Sequence, residues 1–204
     1  MRDLSKDKQD SLDSFLSDLS ALSEFYIGHE TFKSLLSIEG PFEEKFLEMK
    51  SIAVLPSSKG FLQKITGWFG KSNFLLESYN KDLFSPGFVT VRHFFGGTLD
   101  IYSEFCDKIL SLDEPEDSFE FLISEKLYSC SYLLTPKRKV AVAVYDDNLN
   151  CKIYLSPSEP VPKMMHEKPK LYISNAMTGV EMTCLSIIAL IHEISFRLLS
   201  GEGG

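Results

Sequence analysis

Residues 140–155, VAVAVYDDNLNCKIYL, decide the fold class. Val140–Tyr145 and Cys151–Leu155 are apolar, β-branched or aromatic runs. Between them Asp146, Asp147, Asn148, Leu149 and Asn150 supply turn chemistry, because Asp and Asn side chains hydrogen-bond their own backbone and tolerate left-handed φ. The segment predicts a β-hairpin. Working outward, Phe119–Ile123, Tyr128–Leu134 and Leu171–Ser174 read as further strands, and so does FVTVRHFF at 88–95. A mostly antiparallel sheet follows.

Beyond the last of these strands, Thr178-Gly179-Val180-Glu181 matches a capping box, and apolar residues then occupy nearly every face as far as Gly201. Glu181, His192, Glu193 and Arg197 speak against a membrane span, so a helix buried against the sheet is expected. Upstream, Leu12, Phe15, Leu16, Leu19, Leu22 and Phe25 recur at threes and fours from about Ser5, which predicts an amphipathic helix ending at Gly28. A short helix over 30–38 is expected next. Pro41 then sits well at the first turn of a third helix, with Phe42, Phe46 and Leu47 on one side. After Gly96-Gly97, residues Leu99 to Leu112 look helical.

The expected fold is therefore α+β: a helical N-terminal third, then a mostly antiparallel β-sheet packed against a long C-terminal helix. Residues 1–56 form the helical region and residues 57–204 the α+β core, as one compact unit.

Composition narrows the function. The 204 residues include 16 Phe and are 44% hydrophobic, enough for a substantial core. The formal net charge of −8 repels phosphates, so no nucleic-acid partner is expected. Cys106, Cys130, Cys151 and Cys184 stand far apart with no CxxC and no histidine cluster, so no metal and no cofactor are expected. The start MRDLSKDKQDS lacks an apolar signal region, and a cytoplasmic setting is expected, a host-cell cytosol included.

Motifs with catalytic chemistry fail at named positions. His192-Glu193 begins like HExxH, but Phe196 stands where the second histidine is needed. Asp146, Asn148 and Asn150 open like a calcium loop, but Cys151 replaces the required glycine and Pro157 the bidentate glutamate. ITGWFGKS at 65–72 ends like a phosphate loop, yet Ile65 replaces its first glycine, and Trp68 and Phe69 are bulky where backbone must wrap the phosphate. Leu199 to Gly204 end in Gly-Gly, which fits the slot of proteases that cut after diglycine; a frayed helix end has the same composition.

Projected on a helix, residues 59–72 place Phe61, Ile65, Trp68 and Phe69 on one arc, with Lys64 and Lys71 along its border. Such a face suits core packing, a protein contact or a membrane surface. The expected function is a non-enzymatic interaction protein that binds another protein or itself as a homo-oligomer. Phe61, Lys64, Ile65, Trp68, Phe69 and Lys71 would form the contact. Two alternatives are a peripheral membrane-associated or matrix-like protein contacting the bilayer through 59–72, and a small nucleotide-binding or hydrolytic enzyme.

Overall fold

The computed structural model describes residues 4–30, 35–51, 71–85, 89–93, 98–102, 108–113, 118–123, 125–134, 140–156, 168–177 and 179–200. A helix α1 (Lys6–Ser17) opens the chain. Ser5 caps it, its Oγ accepting from the Lys8 N–H at 3.4 Å. A 3-10 turn at Leu19–Ala21 follows, and then the strands β1 (Leu22–Glu30), β2 (Leu35–Glu39), β3 (Lys45–Ser51), β4 (Lys71–Ser78), β5 (Val89–His93) and β6 (Thr98–Tyr102). They continue as β7 (Lys108–Asp113), β8 (Ser118–Ile123), β9 (Lys126–Leu134), β10 (Val140–Asp146), β11 (Cys151–Ser156) and β12 (Lys170–Ser174). The last element is the helix α2 (Gly179–Ser200).

These strands form one antiparallel sheet in the order β7-β6-β5-β4-β3-β2-β1-β12-β11-β10-β9-β8. Each neighbour in space is a neighbour in sequence, except where β12 closes on β1. Laid flat, twelve strands would span roughly 53 Å at about 4.8 Å per gap. Yet the edge strands β7 and β8 approach each other and are joined by residues 114–117 alone, a reach of at most about 18 Å. The sheet must therefore curl nearly into a cylinder.

Twelve strands enclose room for a helix of about 10 Å diameter, where eight would leave room only for side chains. The first turns of helix α2 lie in that room. Eight successive residues, Met182 to Ala189, are buried, so every face of its first turns is covered. Its Leu185, Ile187 and Ile188 share one core with Phe25, Ile27, Leu36, Ile38 and Leu47 from one wall and Val142, Val144, Ile153, Leu171 and Ile173 from the other.

The expected α+β layering is thus corrected: the chain is mostly one antiparallel sheet, with two α-helices among the described residues. The N-terminal third is not helical. Helix α1 stops at Ser17, and Leu22 and Phe25, read as its continuation, lie in β1. The physical reason is the run Phe25-Tyr26-Ile27, whose alternation buries Phe25 and Ile27 and turns Tyr26 outward. The helix expected over 30–38 is replaced by β2, where Leu36 and Ile38 join the main core and Ser37 and Glu39 lie on the opposite face, buried as well. Pro41 sits in a turn, not a helix, and Phe46 and Leu47 belong to β3. The helix expected over 99–112 is replaced by β6 and β7.

A second, smaller core lies outside the cylinder. Leu12 of α1 packs on Ala143, Tyr145 and Cys151, with Phe15, Leu16 and Tyr154 around them. A register shift between Val144 and Tyr145 makes this possible. Ile153 faces inward opposite Val144, while Cys151 is turned outward opposite Tyr145, beneath α1.

Candidate functional site: an apolar and acidic rim

The cylinder has two rims, and α2 starts from one of them. At this α2 rim β1, β3, β9 and β11 begin and β2, β4, β8, β10 and β12 end. Segment 79–85 docks on the first turn of α2 here. The Gly179 N–H donates to the Leu83 carbonyl at 3.0 Å, and the Ser85 N–H donates to the Thr183 hydroxyl at 2.8 Å. Phe84 is buried edge-to-face against Phe25, with ring centroids 6.0 Å apart.

Several large apolar side chains stand exposed on this rim. They are Leu19, Phe42, Tyr79, Leu122, Leu127, Leu149 and Val180. Phe42 is 90% exposed at the tip of the β2–β3 hairpin. It cannot fold back, because the turn is tied on several sides. The Gly40 N–H donates to the Glu44 carbonyl at 2.9 Å, the Glu43 N–H to the Gly40 carbonyl at 3.1 Å, and the Phe42 N–H to the Glu44 carboxylate at 2.9 Å.

The β10–β11 hairpin is built alike. One oxygen of the Asp146 carboxylate accepts from the Asn148 and Asn150 N–H groups at 3.0 and 2.8 Å, and Leu149 is carried outward. Burial opposes the Asp146 charge, but hydrogen bonds from Asn150 and the Lys152 ammonium outweigh it and hold the carboxyl below its ordinary value. The Asp146–Asn150 segment is therefore hairpin chemistry, as its failed calcium pattern implied.

Backbone strain is present on the same rim. The non-glycine residues with left-handed φ among those described are Glu43 (63°), Glu125 (68°) and Leu149 (62°). Each lies in a rim hairpin: Glu43 follows the exposed Phe42, Glu125 stands two residues before Leu127, and Leu149 is itself exposed. Such conformations cost about 1 kcal/mol or more for a side chain like leucine and persist where the surroundings impose them. The register shifts between Ile38 and Glu39, Ile101 and Tyr102, and Val144 and Tyr145 lie at the same ends of their strands. Bulges of this kind re-aim side chains at barrel rims.

The rim is acidic as well as apolar. Asp18, Glu43, Glu44, Asp82, Glu125 and Asp147 are exposed there against Lys45, Lys81 and Lys126, and Glu43 pairs with Lys168 at 3.4 Å. Two of the lysines are engaged, Lys45 with Glu48 at 2.9 Å and Lys126 with Glu181 at 3.4 Å. The Tyr128 hydroxyl also donates to Glu181, and burial with that contact pushes the phenol above its ordinary range.

An open cleft of about 380 Å³ beside the rim separates α1 from the β10–β11 hairpin, lined by Asp7, Ser11, Phe15, Asn150 and Cys151 among others. Its thiol is no nucleophile at neutral pH, since burial pushes Cys151 up to about 12. Among the described residues no three His, Cys, Asp or Glu side chains lie close enough to hold a metal ion. No described helix is long and apolar enough to cross a membrane.

Of the contact residues expected from sequence, Phe61, Lys64, Ile65, Trp68 and Phe69 lie outside the described residues. Lys71 does not continue a helix: it opens β4 and pairs in register with His93, as Ser72 does with Arg92. The rim residues were missed because Phe42 was read on a helix. Gly40-Pro41 was the available signal, since that dipeptide marks a turn. No protein-family model, curated protein or solved structure is similar to this chain.

Proposed function

We propose that this is a non-enzymatic protein-binding module whose α2 rim docks a protein partner. The exposed large apolar side chains that the α2 rim carries, held out by strained and hydrogen-bonded hairpins, carry the reading. Scattered apolar residues are ordinary on a protein surface; a set grouped on one rim and rigidly presented is what binding anchors require. The acidic surroundings favour a protein with basic side chains over an anionic bilayer.

The test compares the wild type with Phe42→Ser/Leu149→Asn, two exposed substitutions. Asn also relieves the left-handed backbone at 149, so the fold should persist. A partner recovered with the wild type is purified and its Kd measured against both proteins. The double substitution should weaken binding at least tenfold with Tm unchanged. Equal affinity would remove the rim from the function. Flotation with anionic and neutral vesicles checks the membrane alternative, which predicts binding independent of Phe42 and Leu149.

A further inference from the structure

We propose that the cleft between α1 and the β10–β11 hairpin receives an arginine side chain of the protein that docks on the rim. This deepens the rim reading and rests on it. The cleft holds about 380 Å³, at the small end of the roughly 300–1,000 Å³ of ligand pockets, and it is open. A free ligand would stay largely in water there. A side chain brought by a docked surface is closed in by that surface, and Leu149, exposed on the rim, also lines the cleft.

The walls match an arginine from stem to head. Phe15 and Leu149 supply apolar surface for the stem, and Asp7 supplies a carboxylate. The Asn148 side-chain amide donates to Asp147 at 2.9 Å and that of Asn150 to Asp146 at 3.2 Å. Carboxylates only accept, so both amides must turn their nitrogens to them, which leaves the two amide oxygens as acceptors. A planar guanidinium with five N–H donors and no acceptor suits such a set, and it also stacks on an aromatic ring such as Phe15.

Charge selects the occupant. Among the described residues no Lys, Arg or His lines the cleft. Lys8 is turned beneath α1, its ammonium on the Ser131 hydroxyl at 3.2 Å and 5.1 Å from the centre of the Tyr145 ring. Lys152 pairs with Asp146 at 3.1 Å. Neither enters the cleft, so its carboxylate is left for a cation from outside. A second copy of this chain would bring its own net charge of −8 to the same place.

The probe is a capped leucine-arginine-leucine peptide, with citrulline in place of arginine as the neutral isostere. In titration the arginine peptide should shift the amide resonances of Asp7, Ser14 and Asn148 to Asn150. The citrulline peptide should bind at least fivefold weaker. Asp7→Asn should weaken the arginine peptide at least threefold. Ser14→Trp, which fills the cleft from an exposed position, should weaken it at least tenfold. Asp13→Asn removes the same charge from α1 outside the cleft and should change the Kd less than twofold. Protection of the Cys151 thiol from labelling checks in each variant that α1 stays docked. Equal binding of the citrulline peptide, shifts confined to other residues, no shift at millimolar peptide, or equal effects of Asp7→Asn and Asp13→Asn would each overturn the inference. If it falls while Phe42→Ser/Leu149→Asn still weakens the purified partner, the rim reading stands alone. If the peptide binds as stated and that double substitution leaves the partner's Kd unchanged, the rim reading is what has failed.

Discussion

Gly28 shows how one residue can be dictated by a neighbouring strand. It lies in the middle of β1 opposite Ser37, and the Glu39 carboxylate lies across it. That carboxylate accepts from the Ser37 hydroxyl at 2.5 Å and from the Lys168 ammonium at 2.7 Å. A Cβ at position 28 would collide with the Glu39 carboxylate and the Ser37 hydroxyl. Gly28→Ala should therefore destabilise the protein by about 1–3 kcal/mol, although alanine suits a strand better than glycine. In a Glu39→Ala background the same substitution should cost at least 1 kcal/mol less, measured as a double-mutant cycle by urea unfolding. Additive costs would mean that Glu39 is not what excludes the side chain. From sequence alone, Gly28 read as a helix terminator; its actual neighbour Glu39 is eleven residues away, beyond any local pattern.

At the scale of elements, α1 and α2 have opposite roles. The first turns of helix α2, Met182 to Ala189, are buried on every face and belong to the main core. Helix α1 covers only the satellite cluster on the outer face, held by Leu12, by the Ser11 hydroxyl accepting from the Cys151 N–H at 3.0 Å, and by Lys8 donating to Ser131 at 3.2 Å. Leu12→Ala should cost about 2–3 kcal/mol of docking. Leu12→Asp should release α1 while the cylinder stays folded. Amide exchange in residues 6–17 would then become unprotected and the Cys151 thiol open to labelling, with the β9–β12 amides still slow. Global unfolding in a single step would show that α1 is integral to the fold. The existence of α1 was legible from the spacing of Leu12, Phe15 and Leu16; its end was not. Leu19, Leu22 and Phe25 extend the same spacing by coincidence, and pairing of β1 with β2 and β12 overrides it.

For the whole molecule, burial of neutral thiols and phenols sets a common pH response. Burial pushes Cys130, Cys151 and Cys184 up to about 12 from an ordinary 9.0, and Tyr145 and Tyr154 also rise. The Lys168 and Lys170 ammonium groups are raised by hydrogen bonds to Glu39 and Glu24 respectively. Each of these groups holds its proton more tightly when folded. Stability from them is therefore complete below about pH 9 and declines as pH rises toward 12. Tm should be level from pH 7 to 8.5 and fall progressively to pH 11, and Cys130→Ala should make the fall shallower. A flat profile to pH 11 would show that these groups are not buried as described.

What the sequence determined by itself was local: the β10–β11 hairpin, the strands around it and the position of α1. These follow from turn chemistry, period-two alternation and capping, which act over a few residues. The tertiary structure alone decided that twelve strands join into one sheet that curls around the start of a helix, because the two halves meet only when β12 finds β1 across some 150 residues. It also decided where the rim lies. Phe42, Leu122 and Leu149 are far apart in the chain and individually ordinary. Only the alternation of strand direction brings their hairpins to one end, where an exposed apolar residue becomes part of a surface.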